Sequence, residues 1–129
     1  MHYMNKETIF SKKAPEAIGP YSQAIKCGNL LFISGQLPVD KETGIMPFDI
    51  KQQTKQSLEN IKHIISAAGY TMEDIVKTTV FVKDLSQFQS INDVYSTYFS
   101  NNPPARACIE VAGLPKDAGV EIEAIACGD

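Results

Sequence analysis

Asp74-Ile75-Val76-Lys77-Thr78-Thr79-Val80-Phe81-Val82-Lys83 sets the architecture of this chain. β-branched and aromatic residues dominate it, and its two-residue alternation predicts a strand over Ile75–Lys83. Val76, Thr78, Val80 and Val82 face one way, and Lys77, Thr79, Phe81 and Lys83 face the other. On both sides of this strand the apolar spacing becomes helical. Upstream, a helix over about Ile50–Ala68 lines up Ile50, Leu58, Ile61, Ile64, Ile65 and Ala68. Asp49 with Gln52 resembles a capping box, and Gly69 is placed to close the helix in the left-handed conformation. Its polar face, with Lys51, Lys55, Glu59 and Lys62, reads as solvated surface, and His63 as an ordinary helix residue. Downstream, a helix over about Phe88–Ser100 gathers Phe88, Ile91, Val94, Tyr95, Tyr98 and Phe99 into an apolar face that reads as core. Asn101-Asn102-Pro103-Pro104 stops it.

Further out, Tyr21–Lys26 and Leu30–Ser34 read as strands joined by a two-residue turn at Gly28-Asn29, with Gly28 supplying the positive φ. Gly35–Phe48 reads as a loop. Arg106–Val111 and Val120–Cys127 read as the closing strands. In the first, Arg106, Cys108 and Glu110 share a face; in the second, Val120, Ile122, Ala124 and Ala126 alternate with Glu121, Glu123, Ile125 and Cys127. The first dozen or so residues are expected to be loosely held. The order is β-β-α-β-α-β-β. Two helices cover only one face of such a sheet, which predicts an α+β two-layer domain spanning residues 1–129. The other face, with Phe81, Ile125 and Thr79, is too apolar for water, so self-association is expected.

A length of 129 residues fits one domain with a real core. No apolar run approaches the roughly 20 residues that span a bilayer, which excludes a membrane helix. Met1–Lys6 lacks the apolar centre of a secretion signal, so a cytoplasmic protein is expected. The net charge of -3, with scattered lysines, argues against a nucleic-acid partner. Cys27, Cys108 and Cys127 show neither a disulfide pattern nor metal-ligand spacing and read as small buried hydrophobes; no metal site is predicted. With two histidines, one of them His2, histidine acid–base chemistry is poorly supplied.

Arg106 is the only arginine; the other eleven of the twelve basic residues are lysine. Either a lysine-biased composition left one arginine by chance, or the chain keeps it for its planar fork, which grips a carboxylate with two parallel hydrogen bonds. The remaining inventory is Cys108, the strand carboxylates, Gly19-Pro20-Tyr21-Ser22-Gln23 and Ser34-Gly35-Gln36. It suits a small carboxylate ligand: Arg106 for the anion, hydroxyls for neutral hydrogen bonds, and a strand glutamate such as Glu121 for a water. The plainer alternatives are exposed strand carboxylates for Glu121 and Glu123 and a core aromatic for Tyr21.

Gly19-Pro20-Tyr21-Ser22-Gln23-Ala24, Ser34-Gly35-Gln36, Ala67-Ala68-Gly69, Asp74–Val82, Pro104–Val111, Leu114-Pro115-Lys116 and Val120–Ala124 resemble, in order and spacing, the motifs of the Rid (YjgF-type) family. The nearest subgroup is RidA, the 2-iminobutanoate/2-iminopropanoate deaminases. The resemblance implies a chorismate mutase-like fold, a mixed sheet backed by two helices. It also implies a homotrimer with three inter-subunit clefts and no cofactor. Each cleft would hydrolyse a 2-imino (or enamine) acid, leaked by pyridoxal-phosphate enzymes, to a 2-keto acid and ammonia. Motif by motif, Arg106 would pair with the substrate carboxylate, backbone groups of Cys108 would line the pocket, and Glu121 would position the attacking water. Tyr21, Ser34 and Gly35 would shape the pocket, with Asn92 nearby. The chain departs from the family pattern between Phe99 and Arg106, where the link is shorter and Pro103 replaces a common aromatic. Pocket width, and hence the preferred side chain, is open there. Two other functions are carried: a non-catalytic, carboxylate-binding regulatory or chaperone-like trimer, and a ribonuclease or translation inhibitor, which the acidic balance disfavours.

Overall fold

The computed structural model describes residues 5–129, so His2 lies outside the described residues. The elements are β1 (Lys6–Ile9), β2 (Ala24–Cys27), β3 (Leu30–Gln36), α1 (Ile50–Ala67), β4 (Ile75–Val82), α2 (Phe88–Tyr98), β5 (Ala105–Glu110) and β6 (Val120–Cys127). The six strands form a mixed sheet in the order β1-β2-β3-β6-β4-β5. β3 and β4 both run antiparallel to β6, so the last strand of the chain is inserted between two strands that are parallel to each other. β5 lies parallel to β4, as a crossover through a helix allows.

Both helices pack on one face. Leu58, Ile61, Ile64 and Ile65 of α1 and Ile91 and Tyr95 of α2 form one core with Leu31, Ile33, Val80, Val82, Val120, Ile122, Ala124 and Ala126 of the sheet. The predicted stripe of α1 is therefore the buried one. Its C-terminus follows the expected chemistry, and its N-terminus shows the Asp49 half of the expected capping box. Asp49 Oδ2 accepts from the Gln52 N–H at 3.1 Å. Gly69 takes φ 82 while its N–H donates to the Ser66 carbonyl, and the Tyr70 N–H donates to that of Ile65; this is a Schellman closure. Gly28, at φ 61, makes the turn between β2 and β3. On α2 only part of the predicted apolar face is fully buried, with Ile91, Tyr95 and the following Phe99 inside and Phe88, Val94 and Tyr98 half-buried.

Three expectations are corrected. Within the first dozen residues, whose first four lie outside the described residues, Lys6–Ile9 is not loose: it pairs antiparallel with β2, from Lys6 opposite Cys27 to Ile9 opposite Ala24. Its mostly polar side chains conceal it because backbone pairing at an edge holds it. Tyr21–Gln23 is not part of β2. Gln23 is only 3% exposed. Its side-chain oxygen accepts from the Ser11 N–H at 2.7 Å, and its amide nitrogen donates to the carbonyls of Ser11 and Pro15 at 3.2 and 2.8 Å. The Gln23 side chain thus fastens the segment before β2 to the N-terminal strap. Finally, Val76 does not share the face of Thr78. The register shifts by one residue between Ile75 and Lys77, so Ile75 is buried and Val76 is exposed. A β-bulge moves a side chain to the other face in this way.

The sheet face away from the helices carries Phe32 and Ile109, both exposed, beside half-buried Phe81, Ile125 and Thr79. No helix among the described residues is long and apolar enough to cross a membrane.

Gln23→Leu strips partners from several buried backbone groups at once. It should cost about 2–4 kcal/mol, at roughly 1–3 kcal/mol per orphaned group, measured as a lower urea midpoint with an unchanged slope.

Candidate active site

Pro103 and Pro104 stiffen the chain ahead of β5, of which Arg106 is the second residue. In the parallel pair, Arg106 stands opposite Thr78, which is 1% exposed and faces the helices. Arg106 therefore projects to the helix side, over α2. Its guanidinium carbon lies 4.7 Å from the centre of the Tyr95 ring and 5.4 Å from that of Phe88. Its Nη1 donates to Asn92 Oδ1 at 2.7 Å. A cation seated on aromatic faces is held by the ring quadrupoles without being neutralised. Among the described residues no carboxylate forms an ion pair with Arg106. The side chain is exposed at the end of a groove of about 510 Å³ that Phe99, Pro103 and Pro104 also line. The fork is thus oriented, solvent-accessible and free to take an anion. Asn92, expected near the pocket, is in direct contact with it.

Cys108 lies on the same face of β5 as Arg106. Burial pushes its thiol pKa up, and the charge of Arg106 only partly offsets this. It stays a neutral thiol at ordinary pH, which fits a lining role better than a nucleophilic one. β5 is the outermost strand on its side of the sheet, and among the described residues no strand pairs with its free row of backbone N–H and C=O groups.

Tyr21, Ser34, Gly35 and Glu121 form a second cluster, lining a cleft of about 660 Å³ with Glu16, Glu123 and Lys116. The register of β3 against β6 shifts between Ile33 and Gln36, which marks a bulge at Ser34-Gly35. The Ser34 hydroxyl donates to the Ser22 carbonyl at 2.6 Å and the Ser34 N–H to that of Gln23 at 2.9 Å, so the bulge is fastened to the Tyr21 loop. Glu121 lies over Gly35: a Cβ built there would fall 2.1 Å from Glu121 Oε2. Glycine is needed at this position for close approach, not for its φ. Burial raises the Glu121 pKa, and the like charge of Glu123 raises it further.

The two clusters do not meet within one chain. Glu121 stands opposite Phe81, and Phe81 opposite Ile109, so Glu121 points to the face away from the helices. Arg106, three residues before Ile109, points to the helix side. The Arg106 groove does not include Glu121, and the Glu121 cleft does not include Arg106.

The sequence names Gln23, Lys116 and Tyr95 without revealing what they do at the site. Gln23 fastens the strap that supplies Pro15 and Glu16 to the cleft. Lys116 reaches the cleft from a left-handed turn, φ 58, followed by Asp117 at φ 57. Tyr95, read as core, is also the shelf under Arg106. A lone arginine downstream of a helical aromatic stripe was the one available hint of that shelf. Among the described residues, no group of three or more His, Cys, Asp or Glu side chains is arranged to hold a metal.

The profile of the family described as Endoribonuclease L-PSP matches residues 11–127. A RutC family protein of Pyrococcus horikoshii is 57% identical over 122 residues, covering 94% of this chain and 97% of the relative. The 2-iminobutanoate/2-iminopropanoate deaminase of Escherichia coli K12 is 52% identical over 123 residues, covering 93% and 96%. Among solved structures, E. coli TdcF with bound serine superposes with a TM-score of 0.94 at 47% identity, covering 96% of this chain and 100% of that one.

Two substitutions test the Glu121 contact. Gly35→Ala should fold, since its φ is ordinary and the atom it meets is the end of a flexible side chain. It should push the Glu121 carboxylate outward and lower its pKa toward the usual carboxylate range, read by NMR titration. A carboxyl whose pKa is raised by folding contributes stability at low pH and loses it as pH rises through the raised value. Glu121→Gln should therefore raise the thermal midpoint near neutral pH, and the gain should vanish in acid.

Proposed function

This chain belongs to the family described as Endoribonuclease L-PSP, the one to which the Rid-type motifs point, and from that premise we propose that it hydrolyses 2-imino acids such as 2-iminopropanoate and 2-iminobutanoate to 2-keto acids and ammonia. The observation that carries this reading is the oriented, unneutralised Arg106 fork beside an accessible groove. A relative named for this reaction at 52% identity supports it, as does a similar fold that holds serine, a small amino acid. The physiological role proposed is protection of pyridoxal-phosphate enzymes from these intermediates, in the cytoplasm and without a cofactor.

Arg106 pairs with the substrate carboxylate, each charge-assisted hydrogen bond contributing on the order of 1.5–3 kcal/mol. Backbone groups of Cys108 line the pocket. Glu121 comes from a neighbouring subunit with Tyr21, Ser34 and Gly35, in a homotrimer with three such clefts. Two features support this arrangement: the clusters lie on opposite faces of one sheet, and the face that bears Glu121 exposes Phe32 and Ile109. Water adds through oxygen to the imine carbon, Glu121 taking its proton, while the C=N electron pair moves to nitrogen, which takes that proton from Glu121. Glu121 then carries the carbinolamine hydroxyl proton to the amino group, the C–N bond breaks as the C=O bond forms, and ammonia leaves the 2-keto acid. Positioned proton transfer of this kind typically contributes about 10²–10⁴-fold.

Ribonuclease activity, which the family description names, meets an acidic cleft here. Glu16, Glu121 and Glu123 outnumber Lys116, so a polyphosphate chain is repelled. RNA cleavage that persisted in rigorously repurified Arg106→Ala would restore that reading. A purely regulatory carboxylate binder would bind the ligand without releasing ammonia.

The deciding assay couples the purified protein to a serine/threonine dehydratase and follows ammonia or keto-acid release. Arg106→Ala and Arg106→Lys should each lose most activity, Lys because it keeps the charge but not the fork. Arg106→Ala and Glu121→Gln, each inactive alone, should recover up to about a quarter of wild-type activity when refolded together, because a random mixture in a closed ring pairs an intact arginine with an intact glutamate at that fraction of interfaces. No recovery would place the two residues in separate sites. The acid limb of the pH–rate profile should lie above the ordinary glutamate range, since an ionised base with a raised pKa is lost early on acidification. Glu123→Gln should move that limb to lower pH.

A further inference from the structure

Arg106 is exposed, yet its guanidinium has a defined plane. Asn92 takes one Nη1 hydrogen, Phe88 flanks the group, and the Tyr95 ring lies closest, at 4.7 Å. Tyr95 is itself fixed at both ends. It is 6% exposed, and its hydroxyl makes a 2.6 Å hydrogen bond with the hydroxyl of Thr78, which is 1% exposed. Its ring leans on Phe99 with centroids 4.6 Å apart. Thr78 is also the cross-strand neighbour of Arg106 in the β4–β5 ladder. The arrangement closes on itself, from the Arg106 backbone to Thr78 through the ladder, from Thr78 to the Tyr95 hydroxyl, and from the Tyr95 ring back to the guanidinium. Burial raises the Tyr95 pKa, so the phenol stays neutral and the hydroxyl pair stays intact across the working pH range.

We infer that Tyr95, anchored by Thr78, is a positioning residue that fixes the guanidinium plane of Arg106 for bidentate capture of the substrate carboxylate. This rests on the carboxylate-binding role of Arg106 proposed above. Packing alone does not require the hydroxyl pair: a Phe at 95 facing a Val at 78 would fill the same space without a buried polar contact. The pair tethers the far end of the ring to the strand next to β5, so the ring cannot slide beneath the cation. A pre-oriented fork loses little freedom on binding, which favours the bound anion.

The full-length protein is compared with Tyr95→Phe, Thr78→Val, the double variant Tyr95→Phe/Thr78→Val, and Thr78→Ser, which keeps the hydroxyl. Binding of 2-oxobutanoate, a stable carboxylate probe, is measured by calorimetry, and KM and kcat by the coupled deaminase assay. Loss of carboxylate orientation common to ground and transition states raises KM with little change in kcat, so Tyr95→Phe and Thr78→Val should each raise Kd and KM about 3–10-fold. The double variant should match the single variants, because they break one linkage. It also leaves no unpaired buried hydroxyl, so its effect is not one of folding. Thr78→Ser should stay near wild type. Unchanged Kd and KM in the double variant, or a fall in kcat that only follows the folded fraction, would overturn the inference. If the wild type binds 2-oxobutanoate but releases no ammonia, the deaminase proposal fails while the Kd series still decides the role of Tyr95. If the wild type does not bind the probe, both fall.

Discussion

Everything in this molecule depends on β6 being held on both sides. Its antiparallel ladders to β3 and β4 close a gap that α1 leaves when it carries the chain from one strand to the other. One face of β6 supplies Val120, Ile122, Ala124 and Ala126 to the core beneath the helices. The other face carries Glu121 and Glu123. The β3 ladder sets Glu121 against the Ser34-Gly35 bulge, while the β4 ladder, extended to β5, fixes the height of Arg106 along the sheet. Because these pairings join the last residues of the chain to segments far upstream, the site forms only once the long-range contacts do.

The charges are arranged against the local interest of the fold. Arg106 bonds to a neutral amide and rests on aromatic rings, and Glu121 is partly desolvated beside a like charge. An ion pair between two such groups inside one chain would satisfy both and leave neither for a ligand. The sheet prevents this by putting them on opposite faces. Residues that remain unsatisfied in the isolated chain cost stability and mark sites of function rather than of packing.

The parts of this structure legible in the sequence are those where one local rule operates. The α1 stripe, its Asp49 cap, its Gly69 closure and the Gly28 turn follow from periodicity and φ preference, and both helices lie on one face because there are only two. The misread parts are those where pairing overrides pattern. Lys6–Ile9 has no apolar alternation because an edge strand is held by its backbone, and Val76 leaves its predicted face because a bulge adds a residue. At the site, the composition singles out Arg106. Strand alternation cannot choose between Glu121 and Glu123, which share a face; the β3 bulge distinguishes them by laying Gly35 under Glu121 alone. Tyr95 escaped notice because a residue can serve as core on one side and as a shelf on the other, and helical spacing reports only the first.

The machinery also limits what chemistry the chain can perform. The proposed reaction uses one fixed cation, one carboxyl of raised pKa and backbone groups, with no activated nucleophile, since the Cys108 thiol is held neutral. Such groups supply orientation and proton transfer, a modest acceleration that suits an electrophile already prone to hydrolysis, as a C=N bond beside a carboxylate is. Cleaving a phosphodiester requires ionising an alcohol, protonating a poor leaving group and spreading charge over a phosphorane, tasks that call for several cations or a histidine pair. A cleft rimmed by Glu16 and Glu123 works against all three. Arg106 is placed to hold a small anion in one orientation; in the proposed assembly that orientation, with the Glu121 of a neighbouring subunit as base, is all that a substrate already open to attack by water requires.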